Sequence, residues 1–181
     1  MPATSGFPAL AAALAERNYR VFSIGNIVSH NGTWAQRTAV LWLTWELTHS
    51  GTWLGLMSVA DLLPVVFVGP LAGAIADRVN LLTMMKVTQV LAALQSLLLA
   101  GLTFAGLMTP ELLFALVLAH GIIISFNQPA RLATVPHLIK RENLPAAIGI
   151  NSLIFNSARA TGPIVGGALT DFYGVAWAFA F

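Results

Sequence analysis

Four polar side chains recur at intervals of three or four residues within the first long apolar stretch of the chain. They are Asn26, His30, Thr33 and Arg37. Residues with this spacing share one face of an α-helix. An ionisable group at membrane depth normally faces a partner or a cavity. Arg37 therefore requires an anion, and Asp61 is the nearest candidate by depth. Asp61 or His30 can then exchange a proton, or the group is a purely structural helix–helix contact.

A second polar stripe lies near the end of the sequence, where Asn156, Arg159 and Pro163 follow one another at helical spacing. Two interpretations of Arg159 remain open. In the first, it lies in a cavity and attracts an anionic substrate or holds a carboxylate. In the second, it forms an interhelical pair with Asp61 or with a residue outside this sequence. His120 is expected to be a packed, hydrogen-bonded histidine and not a ligand.

No pattern in the sequence predicts catalysis. There is no histidine pair at metal-binding spacing, no serine elbow and no phosphate-cradling loop, and the chain has no cysteine. No basic run indicates nucleic acid. We therefore expect no enzyme activity, no cofactor and no metal site.

The composition places the polar residues in a membrane protein. The 181 residues are 57% hydrophobic and 9% charged, whereas ordinary soluble domains carry roughly 25% charge. A spanning helix needs about 20 apolar residues, which predicts an all-α membrane protein. Residues 1–20 form a cytoplasmic lead-in, and residues 128–144 the longest polar connection. The predicted spans are about 21–47, 53–76, 81–106, 112–127, 145–169 and, in part, 175–181.

The distribution of lysine and arginine between the two ends of the predicted spans indicates the topology. The alternate turns at 48–52, 107–111 and 170–174 contain none. By the positive-inside rule the N-terminus and the long connection are cytoplasmic, as in a multi-pass protein of the inner membrane. The cations on the predicted cytoplasmic side are Arg17, Arg20, Arg78, Lys86, Arg131, Lys140 and Arg141.

Two glycine–proline segments suggest an internal repeat. The pattern G-P-x-x-G begins at Gly69 and again at Gly162, and an aspartate follows near each helix end, at Asp77 and Asp171. The two segments would cross the membrane in opposite directions, as an inverted repeat of three plus three helices predicts. Chance similarity between apolar helices is the alternative. Such small residues let neighbouring helices approach closely.

These segments resemble the signatures of the major facilitator superfamily. Its motif G-x-x-x-D-R-x-x-R/K is matched by Gly73, Asp77 and Arg78, although Leu81 and Leu82 stand where basic residues are usual. Its antiporter motif G-x-x-x-G-P-x-x-G-G, with Ala158 at the first glycine, is matched by four residues. They are Gly162, Pro163, Gly166 and Gly167. The chain is similar to the N-terminal half of the superfamily's exporters, within the subgroup of enterobactin-exporter-like proteins and drug–proton antiporters.

The resemblance implies a six-helix bundle that exports a small molecule by alternating access, with proton antiport as a possible coupling. It also implies that Gly73, Asp77 and Arg78 form a conformational latch on the cytoplasmic side. A carboxylate at Asp77 can accept hydrogen bonds from the free amides that begin the next helix. The alternative is a solvated, capped turn with a positive-inside arginine.

The sixth predicted span is short. Its seven or so residues cannot cross a hydrocarbon core of about 30 Å, so we expect a truncated product, a fragment or one part of a split transporter. Such a chain needs the lipid bilayer, a small-molecule substrate, and either a C-terminal half or a second copy as partner. The alternative function is a non-transporting membrane scaffold or remnant.

Overall fold

The computed structural model describes residues 7–181 as a bundle of α-helices, and no strand occurs in this range. The first six residues of the predicted lead-in lie outside the described part. A single 3₁₀ turn, Arg141–Asn143, separates the fifth and sixth helices. The helices are α1 Phe7–Ala15, α2 Arg17–Thr48, α3 Gly51–Ala76, α4 Leu81–Phe104, α5 Pro110–Leu138, α6 Leu144–Tyr173 and α7 Val175–Ala180.

Local chemistry sets several of these boundaries. Asn80 caps α4, because its side-chain oxygen accepts a hydrogen bond from the Thr83 amide at 3.1 Å. Thr109 caps α5 in the same way through Leu112, and Pro110 fits the first helical position, where no amide hydrogen bond is lost. Gly174, at φ 93° between α6 and α7, adopts a backbone conformation that only glycine reaches without strain.

Among residues 7–181, three helices are long and apolar enough to cross a membrane: α3, α4 and α5. The 32-residue α2 and the 30-residue α6 are long enough but carry the polar stripes. Many large apolar side chains point away from the bundle, and Phe67 is 74% exposed. An exposed apolar surface of this extent fits a protein whose surroundings are lipid. The molecule is therefore a multi-pass α-helical membrane protein.

The structure corrects the prediction of a polar connection over residues 128–144. Helix α5 continues through Pro129 and Pro136 to Leu138, so the true connection begins only at Ile139. Prolines suggest a break in a soluble helix, but in membrane helices neighbouring groups compensate for the lost hydrogen bond. As a result Arg131 is not a loop cation: it lies within α5 and is only 8% exposed.

The predicted lead-in contains α1, and α2 already begins within it, at Arg17. Glu16 joins this end of the bundle to the connection between α5 and α6. Its carboxylate accepts hydrogen bonds from the Lys140 amide and the Asn143 side chain, both at 3.1 Å. The Tyr19 hydroxyl donates to the Ala147 carbonyl at 2.9 Å. The start of α2 is thus fixed to the start of α6.

The most extensive helix contacts join α3 with α5, α2 with α6, and α4 with α5. Glycines make two of these approaches possible. A Cβ at Gly166 would lie 2.6 Å from the Ala35 carbonyl oxygen, and one at Gly162 would collide with the Trp34 Cβ. A Cβ at Gly121 would lie 2.9 Å from the Asp61 carbonyl oxygen. Helix α6 therefore approaches α2 closely at Gly162 and Gly166.

The other glycines of the two motifs behave differently. A Cβ at Gly69, Gly73 or Gly167 would meet nothing within 4 Å in the described part of the chain. These three glycines therefore make no close helix contact among residues 7–181, and their role in close packing stays a prediction.

Candidate functional site

An ion pair joins α2 to α3 near the middle of the bundle. Arg37 Nε lies 2.9 Å from Asp61 Oδ2, and His120 Nδ1 on α5 lies 3.6 Å from Asp61 Oδ1. The Arg37 guanidinium also lies 4.8 Å from the centre of the Trp34 ring, a distance at which the cation is attracted by the ring face. The anion that Arg37 required is thus Asp61, the candidate that its depth indicated, and His120 is a third member of the group.

A cavity of about 280 Å³ adjoins this ion pair and is lined by residues of α2, α3 and α5. The side chains of Arg37 and Asp61 keep 28% and 16% of their surface exposed. The pair is therefore shielded from the surroundings but remains reachable by small species. The Asp61 carboxylate therefore lies between two basic side chains and beside a cavity.

A second polar cluster joins α2 to α5 closer to the cytoplasmic ends predicted above. Arg131 Nη1 lies 2.7 Å from His30 Nε2, and Arg131 Nη2 donates to the Ser29 hydroxyl at 3.1 Å. The sequence predicted that His30 faces a partner, but it did not predict Arg131 as that partner. The His30 ring also lies edge-on to Phe155 of α6, with 5.5 Å between ring centres.

A cavity of about 480 Å³ opens beside this cluster, between α2, α5 and the first half of α6. It contains three of the sequence-predicted residues, namely Asn26, His30 and Asn156. Asn26 is buried, whereas Asn156 is exposed and donates to the Ser152 carbonyl of its own helix at 2.8 Å. The structure therefore brings half of the predicted cavity residues to one site and places Arg37 and Asp61 at another.

Arg159 does not pair with Asp61, whereas a pair between Arg159 and a residue outside this sequence stays a prediction. Asp61 is already bound to Arg37 and His120. Arg159 is an exposed residue of α6, and its guanidinium lies 5.9 Å from the centre of the Trp34 ring, on which Arg37 also packs. Trp34 therefore contacts both arginines, and the polar spacing did not single it out.

The sequence also missed a hydrogen-bonded network between α2, α4 and α5. Gln36 donates to Gln95 at 3.2 Å, and Ser96 donates to Gln36 at 2.6 Å. Gln95 in turn donates to the Leu116 carbonyl. A signal for it existed: polar pairs seven residues apart, at 88–89 and 95–96, mark one face of α4.

The latch residues lie at the turn between α3 and α4. Asp77 and Arg78 are both exposed, and neither forms a salt bridge among residues 7–181. The amide at the start of α4 is bound by Asn80, so the capping bond predicted for Asp77 is made by another residue. Asn80 is better placed because it directly precedes the helix, where a cap must lie. Gly73 lies one turn before Asp77 and leaves its face of α3 uncovered.

The apolar helices of this bundle enclose cavities that are lined by polar and ionisable side chains. This arrangement is typical of one class of membrane protein. Such groups inside a membrane bundle mark pathways or sites for polar solutes, as in secondary transporters. The sequence pattern of the transmembrane secretion effector family, a branch of the major facilitator superfamily, matches residues 8–181. The chain belongs to this family of membrane transporters, and the resemblance inferred from its motifs is confirmed.

Three curated relatives are similar to the chain. A staphyloferrin A transporter of Staphylococcus aureus (strain NCTC 8325 / PS 47) is 25% identical over 143 residues, which are 78% of this chain and 36% of the relative. The uncharacterised MFS-type transporter YfiS of Bacillus subtilis (strain 168) is 28% identical over 145 residues, covering 78% and 33%. The enterobactin exporter EntS of Shigella boydii serotype 4 (strain Sb227) is 34% identical over 140 residues, covering 72% and 32%.

The matches cover about a third of the length of these relatives. No solved structure matches the chain significantly. Membership in a family of transporters, together with the apolar helices, supports a membrane protein related to transporters.

Proposed function

We propose that the chain forms the N-terminal bundle of a secondary transporter that exports a small molecule by alternating access. The observation that carries this proposal is the polar interior of the bundle. Two clusters of ionisable residues, around Asp61 and Arg131, each lie beside a cavity. The chain's membership in a family of membrane transporters also supports the proposal. The relative named as an enterobactin exporter supports export as the direction.

The bundle is proposed to be an inverted repeat, in which α2 corresponds to α5 and α3 to α6. Under this correspondence the α2–α6 contact is the counterpart of the α5–α3 contact, and these two are among the most extensive in the structure. This equivalence supports a rocking unit built from two matching halves, with Pro163 as a place where α6 can bend.

Proton exchange is the coupling that we propose, with Asp61 as its first site and His30 as the alternative. Asp61 faces Arg37 from α2 and His120 from α5, so a proton on its carboxylate would remove the charge that holds Arg37. Gly73, Asp77 and Arg78 are proposed to contact a partner bundle on the cytoplasmic side. That partner is either a C-terminal half or a second copy, since Asp77 and Arg78 form no salt bridge within the described residues.

Export can be tested in cells that make enterobactin but lack its exporter. Production of the chain, alone or together with the C-terminal part of that exporter, is expected to raise enterobactin secretion above that of the empty vector. The double variant Asp77→Asn/Arg78→Gln should lose the effect at an unchanged membrane level, because the proposed latch has lost its charges. If neither combination raises secretion although the protein is in the membrane, the scaffold alternative is favoured for this cargo.

The proposed orientation predicts which turns are accessible from outside the cell. The chain has no cysteine, so single cysteines can be labelled without background. Leu107→Cys and Val79→Cys both replace exposed apolar residues in turns, 64% and 46% exposed. In intact spheroplasts a membrane-impermeant maleimide should label the first variant alone, and after lysis both. Labelling of Val79→Cys in intact spheroplasts would show that the N-terminus is outside.

A further inference from the structure

Arg131 is a buried cation that forms no salt bridge with a carboxylate among residues 7–181. It lies on α5 and is 8% exposed. Asp61, the acidic residue that forms ion pairs in the described part of the chain, binds Arg37 and His120 instead. A buried guanidinium without a counter-charge is strongly unfavourable, and within a membrane such a group normally faces a partner or a water-filled cavity.

The side chains that do contact Arg131 are neutral. A guanidinium has five N–H groups and accepts no hydrogen bond, so His30 Nε2 must be the acceptor of the 2.7 Å contact. The His30 ring is therefore uncharged in this arrangement. Ser29 supplies the other acceptor, and Arg131 Nε has no partner within residues 7–181. The cluster keeps a full positive charge and unused donors.

The cavity beside this charge has the size and lining of a small-molecule site. Its volume of about 480 Å³ lies within the range of roughly 300–1,000 Å³ that is typical of ligand pockets. Amides and apolar walls both line it, a combination that suits a molecule with one charged end and an apolar body. Besides Arg131, the wall includes Asn26, Asn151, Leu132, Ile148 and Phe155.

We propose that this cavity binds a small amphipathic organic anion, with Arg131 holding its carboxylate. A carboxylate would supply the missing charge and accept from the N–H groups that have no protein acceptor, while Phe155 and the aliphatic walls cover the apolar body. This inference rests on the proposed function, since the bound anion is the transported solute. It also moves the expected anion contact from Arg159, which is exposed, to Arg131.

The test uses the purified full chain in phosphatidylcholine nanodiscs and two probes of the same shape, cinnamate and its neutral amide cinnamamide. Equilibrium dialysis with radiolabelled probes gives each affinity. The unsubstituted chain should bind cinnamate more tightly than cinnamamide. Arg131→Gln should lower cinnamate affinity by about tenfold or more, the effect of removing a hydrogen bond to a charged group, and leave cinnamamide binding unchanged. Arg131→Lys should restore part of the affinity, since it keeps the charge but not the planar fork.

Arg20→Gln is the matched control, because it removes the same charge from an exposed position of α2. Equal binding of the two probes to the unsubstituted chain would overturn the proposal without any variant. So would equal loss of cinnamate in Arg20→Gln and Arg131→Gln, or complete displacement of cinnamate by phosphatidylglycerol in the disc, which would assign the site to a lipid headgroup. Charge-selective binding without enterobactin export leaves the anion site standing and argues against enterobactin as the exported molecule.

Discussion

Gly166→Ala is expected to destabilise the bundle strongly, whereas Gly167→Ala is not. A Cβ at Gly166 would lie 2.6 Å from the Ala35 carbonyl oxygen and 2.8 Å from its Cα. Both are backbone atoms of α2, so the clash is relieved only if α2 and α6 move apart. The contact between these two helices is one of the most extensive in the structure. Overpacking of this kind costs about 2 kcal/mol. The loss is measured as a lower denaturation midpoint of the purified protein in detergent micelles.

Gly167→Ala is the matched control for Gly166→Ala, because Gly167 is the next residue of the same helix. A Cβ at Gly167 meets nothing within 4 Å, and alanine is the better helix former by about 1 kcal/mol in water. Gly167→Ala should therefore keep or slightly raise the denaturation midpoint. Equal stability of the two variants would mean that α2 and α6 do not pack through Gly166, and the architecture described above would have to be revised.

Asp61→Asn is expected to have the second large effect, on both stability and coupling. It removes the charge that faces Arg37 at 2.9 Å and His120 at 3.6 Å. An arginine left without its counter-charge in a shielded position costs about 3 kcal/mol, so folded protein should decrease in the membrane. Thermal denaturation of the purified variant and its level in isolated membranes measure the loss.

The double variant Asp61→Asn/Arg37→Gln separates a structural role from a coupling role. With both charges removed, most of the stability should return, as expected for two residues in direct contact. If Asp61 carries the proton, transport by this folded variant no longer depends on pH. Transport that keeps its full pH dependence would exclude Asp61 and leave His30 as the remaining proposed site. If Arg37→Gln does not recover the stability lost in Asp61→Asn, then an unpaired Arg37 is not the cause of that loss.

Spacing along single helices predicted a useful part of the site. The interval between His30 and Arg37 placed them on one face of α2, and the cost of a charge in an apolar segment required an anion for Arg37. These inferences depend only on helical periodicity and on the energetics of charge in hydrocarbon. The scarcity of charge and the family signatures can also be read from the sequence alone, and they were enough to predict a helical membrane transporter.

The extent of α5 was not predictable in the same way. Pro129, Pro136 and the nearby cations have the composition of a loop, and only packing among other helices lets such a segment remain helical at membrane depth. The difference matters for function, because it moves Arg131 from a cytoplasmic loop to a buried position beside His30.

The sequence by itself determined that this chain is a helical membrane protein of the facilitator type, with an ionisable face on α2 and an anion required for Arg37. Only the tertiary structure decided which glycines are contact points, that Asn80 and not Asp77 caps α4, and that Arg131 and not Arg159 is the buried cation beside a cavity. The physical reason is that periodicity fixes the face on which a side chain lies. The neighbour that covers that face is set by how the helices pack.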